Sequence, residues 1–187
     1  MQPAIFLDRD GVIIENRPDY VRTWDDVRPI PGALQALAGV RASRYLVVII
    51  TNQSGIGRGL ISQRTADEIN RRMLAQIEAA GGRVDGLYLC PHTPADACSC
   101  RKPQPGLLLQ AAKDLDIDLS QSLLVGDALS DIQAGKAAGI PTTALVLTGL
   151  GAGQFHNLEP ARRKELLVFR DLLEALDTLV PERRQEK

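Results

Sequence analysis

Residues 46–52 read Leu46-Val47-Val48-Ile49-Ile50-Thr51-Asn52. An apolar run with no polar alternation, ending abruptly in a polar pair, predicts a strand over 46–50 that is buried on both faces, as in a parallel sheet covered by helices. The pattern recurs at Ala4 to Leu7, Leu87 to Leu89, Leu123 to Val125 and Thr142 to Leu147. Between and after these runs lie helix-period segments at Gly32 to Ser43, Thr65 to Ala80, Gly106 to Leu115, Ser130 to Ala138 and Ala161 to Leu179. Strict alternation of strand and helix predicts an α/β fold, an open parallel sheet with helices on both faces.

Polar residues fall at matching places along this pattern. Asp8 follows the first strand, Thr51 and Asn52 the second, Cys90 and His92 the third, and Asp127 the fourth. In a parallel sheet all of these reach the carboxyl edge, where open α/β folds bind their ligands.

A chain of 187 residues suits one domain, expected over 1–187, and no repeat or long linker divides it. The charged end from Glu182 to Lys187 is expected to fray. With 22 Lys plus Arg against 23 Asp plus Glu there is no overall basic field for nucleic acid or anionic lipid, which points to a small soluble substrate. No apolar run reaches the length of a membrane span and the first residues lack the regions of a signal peptide, so a cytoplasmic protein is expected. Its oligomeric state is left open, a monomer being slightly favoured.

In Asp8-Arg9-Asp10-Gly11 the two-residue spacing lets both carboxylates point one way if the strand continues. One could then attack while the other moves protons; the competing reading is a plain Asp-Gly turn. Gly126-Asp127-Ala128-Leu129-Ser130-Asp131 also follows a strand and opens a helix, so Asp127 or Ser130 could simply cap it. That reading is weaker for Asp127, because a carboxylate facing Asp8 and Asp10 needs a cation between them, and magnesium suits an all-oxygen site. Thr51, Asn52 and the pair Arg101-Lys102 could supply the donors and positive charge that a phosphate requires, although an adjacent cationic pair is commonly a solvated surface feature.

Taken together these stretches resemble the haloacid dehalogenase superfamily of phosphohydrolases. Its four motifs occur here in order as Phe6-Leu7-Asp8-Arg9-Asp10-Gly11, Ile50-Thr51-Asn52-Gln53, Arg101-Lys102-Pro103 and Gly126-Asp127 with Asp131. The resemblance implies a Rossmann-like fold with Asp8 as nucleophile, Asp10 as general acid and base, and Thr51 and Lys102 holding the phosphate. It also implies magnesium on Asp8, the Asp10 carbonyl and Asp127, with Asp131 in support. Chemistry agrees, since attack by a weak carboxylate nucleophile depends on position and charge neutralisation, and an alkoxide needs a proton to leave.

All three cysteines, Cys90, Cys98 and Cys100, lie in one loop with His92. Four soft or borderline ligands are enough for a closed tetrahedral zinc site, structural because no position stays open; buried or reactive thiols are the alternative. Cys100 adjoins Arg101 and Lys102, so a metal over 90–100 would brace the segment that reaches the phosphate. The loop, with Thr51-Asn52-Gln53-Ser54-Gly55-Ile56-Gly57-Arg58-Gly59, resembles the heptose-bisphosphate phosphatases of the superfamily, and the histidinol-phosphate phosphatases share the zinc loop. No large insertion separates the motifs, so no separate cap domain is expected and loops must shape a sugar phosphate pocket. Asn52, Arg58 and Arg101 are the candidates to meet the substrate. A phospho-accepting signalling domain or a zinc-braced interaction module would explain less, since neither needs the full set Asp8, Asp10, Thr51, Lys102 and Asp127.

Three lesser features remain. Gly149-Leu150-Gly151-Ala152-Gly153 follows the last strand and reads as a flexible connection, His156 as a surface residue, and Tyr20 and Trp24 as loop residues near the site or simply packed.

Overall fold

A computed structural model describes residues 1–180; the expected frayed end, Glu182 to Lys187, lies outside them. Its centre is a six-stranded sheet with every pair parallel: β1 (Ala4–Leu7), β2 (Leu46–Asn52), β3 (Gly86–Cys90), β4 (Leu123–Gly126), β5 (Thr142–Val146) and β6 (Leu167–Phe169). The order β3-β2-β1-β4-β5-β6 makes β1 the point from which the chain winds outward in both directions. A crevice opens there beyond the strand ends.

Strand residues alternate between two apolar layers. Ile5, Leu7, Val47, Ile49, Val125 and Val146 face one layer, with α1 (Ala33–Gly39), α3 (Gln63–Ala79) and α8 (Leu172–Leu179). Ala4, Phe6, Val48, Ile50 and Leu124 face the other, with α4 (Gly106–Asp114) and α5 (Leu129–Ala137). The remaining helices, α2 (Ser54–Gly57), α6 (Gly151–His156) and α7 (Pro160–Arg163), are short pieces outside these layers. Helix α3 shows how the layers form: Ser62 accepts from the Thr65 N–H at its start, and Ala66, Ile69, Met73 and Ile77 recur along one buried stripe. Asn70 lies in the same stripe, a polar residue where the periodicity asks for an apolar one.

Two expectations need correction. The helix expected over Ala161 to Leu179 is interrupted, because Leu167, Val168 and Phe169 add β6 to the edge of β5 in register with Ala144, Leu145 and Val146. Asp171 then caps α8 by accepting from the Glu174 N–H at 2.9 Å. The expected flexible connection over 149–153 is also a built element: Gly151–His156 is helical, and Gln154 Oε1 accepts from the Leu129 N–H at the start of α5. His156 is exposed, and Trp24 packs against the first apolar layer. Among the described residues, no helix is long and apolar enough to cross a membrane.

Candidate active site

At the carboxyl edge a pocket of about 280 Å³ is lined by Asp8, Asp10, Asn52, Gln53, Arg101, Lys102, Asp127 and Ser130, with Asn16, Arg17 and Tyr20 from the loop after β1. The chain does not continue as a strand beyond Leu7, contrary to the geometry assumed for a shared direction of Asp8 and Asp10. It turns at Gly11, whose φ is +83°, and the two carboxylates reach the pocket with different partners.

Asp8 belongs to Lys102. Lys102 Nζ lies 2.9 Å from Asp8 Oδ1 and 2.7 Å from Asp131 Oδ1, and it donates to the Ile50 carbonyl at 3.1 Å. The contact with Asp131 has ion-pair length and gives that buried Oδ1 its charge partner. Burial alone would depress the Lys102 ammonium; Asp131 and Asp8 outweigh it and hold the group above the ordinary lysine range.

Asp127 is buried and sits in a cradle of backbone. The Leu150 N–H donates to its Oδ2 at 2.8 Å, and a Cβ on Gly11 or on Gly149, both with positive φ, would overlap that same oxygen. Burial pushes Asp127 up to about 7, against the Leu150 N–H, while Asp131 adds repulsion. Burial also raises Asp8 well above the usual carboxylate range; Lys102 opposes this, and Asp131, Asp127 and Asp10 reinforce it. Oxygens of Asp8, Asp127 and Asp131 lie within 4.8 Å of one another. Three carboxylates around one ammonium leave an excess of negative charge, and an all-oxygen donor set of this kind fits a hard dication such as magnesium.

Asp10 is gripped from another side. Its Oδ2 accepts from Gln53 Nε2 at 2.7 Å and from Arg9 Nε at 3.1 Å, and its Oδ1 accepts from Arg9 Nη2 at 3.1 Å. Thr51 Oγ1 stands 3.4 Å from Oδ2 and accepts from Gln53 Nε2 at 2.9 Å; Thr51 is fully buried behind the pocket wall.

Asn52 and Arg58 depart from the substrate-contact expectation. Asn52 lines the pocket but both ends of its amide are engaged by one residue's backbone: Nδ2 donates to the Lys102 carbonyl and Oδ1 accepts from the Lys102 N–H, each at 3.1 Å. It clamps the backbone of Lys102. Arg58 ends α2 as an exposed residue outside the pocket lining. Arg101 does line the pocket, its Nη1 donating to the His92 carbonyl at 3.2 Å, and Arg17 brings a second cation that the sequence pattern does not single out.

The cysteine loop lies next to this clamp. Cys90, His92, Cys98 and Cys100 each offer a ligand atom within 4.8 Å of the others, with Cys90 Sγ 3.6 Å from both His92 Nδ1 and Cys98 Sγ. Thr93 and Asp96 turn the chain between them: Asp96 Oδ2 accepts from the Thr93 N–H at 2.7 Å and from its Oγ1 at 2.8 Å. Backbone bonds from Gln53 N to the Cys90 carbonyl and from Gly57 N to the Pro91 carbonyl tie the loop to the segment after β2. Burial pushes Cys90 up to about 12, whereas Cys98, on which burial acts in the same sense, is brought down to about 6 by hydrogen bonds from Cys100 and the Arg101 N–H. Three thiols and an imidazole nitrogen so gathered fit zinc.

Gly149 and Leu150 are the contacts that sequence reasoning missed. They follow β5 at the carboxyl edge, the rule that locates Asp8 and Asp127, and their Gly-rich setting turned attention away from it.

Comparison with known proteins gives a consistent picture. A family model described as HAD-hydrolase-like matches residues 99–175. The D-glycero-beta-D-manno-heptose-1,7-bisphosphate 7-phosphatase of Neisseria meningitidis serogroup A is 43% identical over 147 residues, 79% of this chain and 78% of the relative. The protein of the same name from Pseudomonas aeruginosa is 36% identical over 176 residues, covering 94% and 97%. The crystal structure of the D,D-heptose 1,7-bisphosphate phosphatase from B. bronchiseptica, complexed with magnesium and phosphate, superposes with a TM-score of 0.87 at 37% identity, covering 96% of this chain and 99% of that one.

Proposed function

The chain belongs to the haloacid dehalogenase superfamily and, within it, to the heptose-1,7-bisphosphate 7-phosphatases, and from that premise we propose that it hydrolyses the C7 phosphate of D-glycero-D-manno-heptose 1,7-bisphosphate through an aspartyl-phosphate. The products are heptose 1-phosphate and inorganic phosphate, and the reaction serves the synthesis of nucleotide-activated heptose in the cytoplasm. A single phosphatase domain carries it, with the loop over 90–100 as a structural zinc module.

The observation that carries the reading is the seat of Lys102 Nζ between Asp8 and Asp131, with Asp127 beside them. Lys102 and the Arg9 N–H both contact Asp8 Oδ1, which leaves Oδ2 to attack phosphorus in line. As the Oδ2–P bond forms and the P–O7 bond breaks, Asp10 gives its proton to the departing sugar oxygen. Asp10 then takes a proton from water as that water attacks the phosphoaspartate, which frees phosphate and restores Asp8. Asp8, Asp127 and the Asp10 carbonyl would hold magnesium, with Asp131 in support. When bound, magnesium neutralises charge on the phosphoryl oxygens and screens the carboxylates from one another. Lys102 holds the phosphoryl group, with Thr51 buried behind it against Asp10 and Gln53 instead of at the pocket surface, and Arg101 and Arg17 meet the sugar or its second phosphate at the pocket mouth.

The test is steady-state phosphate release from both anomers of the heptose bisphosphate and from histidinol phosphate under identical conditions, with magnesium present. A kcat/KM larger for a heptose bisphosphate supports the proposal, and the ratio between anomers identifies the nucleotide sugar served. A larger value for histidinol phosphate overturns the substrate. Accumulation of a long-lived phosphoprotein with no steady release would make the chain a phospho-accepting signalling domain instead.

A further inference from the structure

Arg9 is the largest fully buried side chain among the described residues and stands between two residues with proposed catalytic roles, yet the mechanism above uses only its backbone. Its guanidinium grips both oxygens of Asp10, Nε donating to Oδ2 and Nη2 to Oδ1, each at 3.1 Å, with Nη2 also 2.9 Å from Oδ2. The third nitrogen, Nη1, donates to Asn70 Oδ1 at 2.8 Å. Asn70 is 5% exposed, belongs to α3 and does not line the pocket. A planar fork fixes the plane of the carboxylate it holds, but only while the fork itself cannot rotate. Here the polar residue in the apolar stripe of α3 supplies the stop.

We propose that Arg9 and Asn70 are positioning residues for the proton-transfer step, forming a buried bracket that sets the orientation of the Asp10 carboxyl relative to the leaving oxygen. This rests on the reading of the chain as an Asp8-nucleophile phosphatase. Neither residue touches substrate; both act through Asp10. A purely structural role predicts something different. Asn70 replaced by an apolar residue would then cost stability alone, and whatever fraction stayed folded would treat all substrates alike. The positioning role makes the cost depend on the leaving group. A sugar alkoxide needs the proton of Asp10 as the P–O bond breaks, whereas a nitrophenolate departs without one.

The experiment compares wild type, Asn70→Ala, Asn70→Asp and the benchmark Asp10→Asn by rapid-quench single turnover of the heptose bisphosphate and of p-nitrophenyl phosphate. Asn70→Ala is expected to slow the first step with the sugar phosphate roughly 10- to 100-fold, a fraction of the loss in Asp10→Asn, since misplacing a catalytic group by about 1 Å has effects of this size. The first step with nitrophenyl phosphate should change less than about 3-fold, the leaving group needing no acid. Asn70→Asp keeps an acceptor of the same shape opposite Nη1 and should recover most of the sugar phosphate rate. Equal losses on both substrates, or no loss on either, overturn the bracket while leaving the phosphatase reading intact. A wild-type chain that turns over neither ester overturns the phosphatase reading and the bracket with it. If wild type cleaves only another alkyl phosphate, the same comparison is run with that ester and decides the bracket in the same way.

Discussion

The acidic cluster and the cysteine cluster are neighbours joined by Cys100, Arg101 and Lys102, and they are built on opposite plans. Asp8, Asp127 and Asp131 are shaped by protein: Lys102 Nζ lies among them, backbone from Leu150 and the cradle of Gly11 and Gly149 fixes Asp127, and Asp131 Oδ2 accepts from the Ala128 N–H at the start of α5. Among the described residues no lysine or arginine side chain forms an ion pair with the thiols. Their Sγ atoms and His92 Nδ1 gather within 4.8 Å of one another, the donor set that a tetrahedral zinc ion takes. A site that carries its own counter-charge keeps its form without metal. A site of like ligands takes its form from the metal, and the expected consequence is that the segment presenting Lys102, next to Cys100, follows it.

The sharpest way to break this contrast is to remove one residue from each cluster. Asp8→Asn should abolish turnover, by at least about 10,000-fold because the atom that bonds phosphorus is gone, and the thermal unfolding midpoint should not fall, because a carboxylate raised by burial has been replaced by a neutral group of the same shape. Circular dichroism melting beside a phosphate-release assay reads both halves. A lower midpoint would mean that Asp8 is part of the scaffold as well as the chemistry. Cys98→Ala should do the reverse in kind: bound zinc measured by elemental analysis falls from about one per chain, the midpoint drops, and activity declines roughly 10- to 100-fold through displacement of Lys102, although no catalytic group is altered. Unchanged activity in the zinc-free variant would show that the Asn52 clamp alone holds Lys102.

A finer probe lies in the backbone cradle. Gly149 has φ +56°, and a Cβ there would meet both Asp127 Oδ2 and the Gly11 backbone, so Gly149→Ala should turn that carboxylate, push on the turn after Asp10, raise the magnesium concentration for half-maximal activity about 10-fold and lower maximal activity as well. A magnesium titration of activity checks it. If the half-saturating concentration does not move, the cradle is not what shapes Asp127. The smallest effect expected is that of Arg58→Ala, which should change kcat/KM less than about 2-fold, while Arg101→Ala should raise KM several-fold, because only the latter side chain lines the pocket. Side-by-side Michaelis curves suffice, and a large Arg58 effect would mean that α2 closes over substrate.

These predictions fall partly on residues that the sequence made plain and partly on residues it did not. The five apolar runs led directly to five strands of the sheet, four of them buried on both faces and β3 half-buried at the edge, and the residues after the first, second and fourth runs located the site. The four cysteine-loop ligands were legible because thiols and an imidazole crowded into so short a span form the donor set that zinc prefers. The sixth strand was not: Leu167, Val168 and Phe169 are only three residues in a charged stretch, and the whole of it fits one amphipathic helix until β5 offers an edge to pair with. Asn52 was placed by composition as a phosphate donor, while its partner is the backbone of a residue 50 positions away. Neither Arg9, flanked by the two acids, nor Asn70, within the helix-period stretch Thr65 to Ala80, stands out in the sequence. Contacts between residues far apart in the chain leave no local signature, and the cradle around Asp127, the Lys102 clamp and the bracket behind Asp10 are all of that kind.

The central position of β1 bears on the order in which the molecule can assemble. Its partner β4 lies far along the chain, and the bond from the Ala4 N–H to Ser122 Oγ closes a separation of 118 residues. Closing so large a loop costs entropy that is recovered only when the flanking layers also form, and such long-range parallel pairing is slow. The outermost zinc ligands, Cys90 and Cys100, are only 10 positions apart, so their loop can close soon after it leaves the ribosome. Asp8 and Asp127 cannot meet until β4 has been made and docked. A nascent or truncated chain ending before β4 can thus take up zinc and remain without its acidic centre, and phosphatase activity arrives as one of the last events in the making of a new molecule.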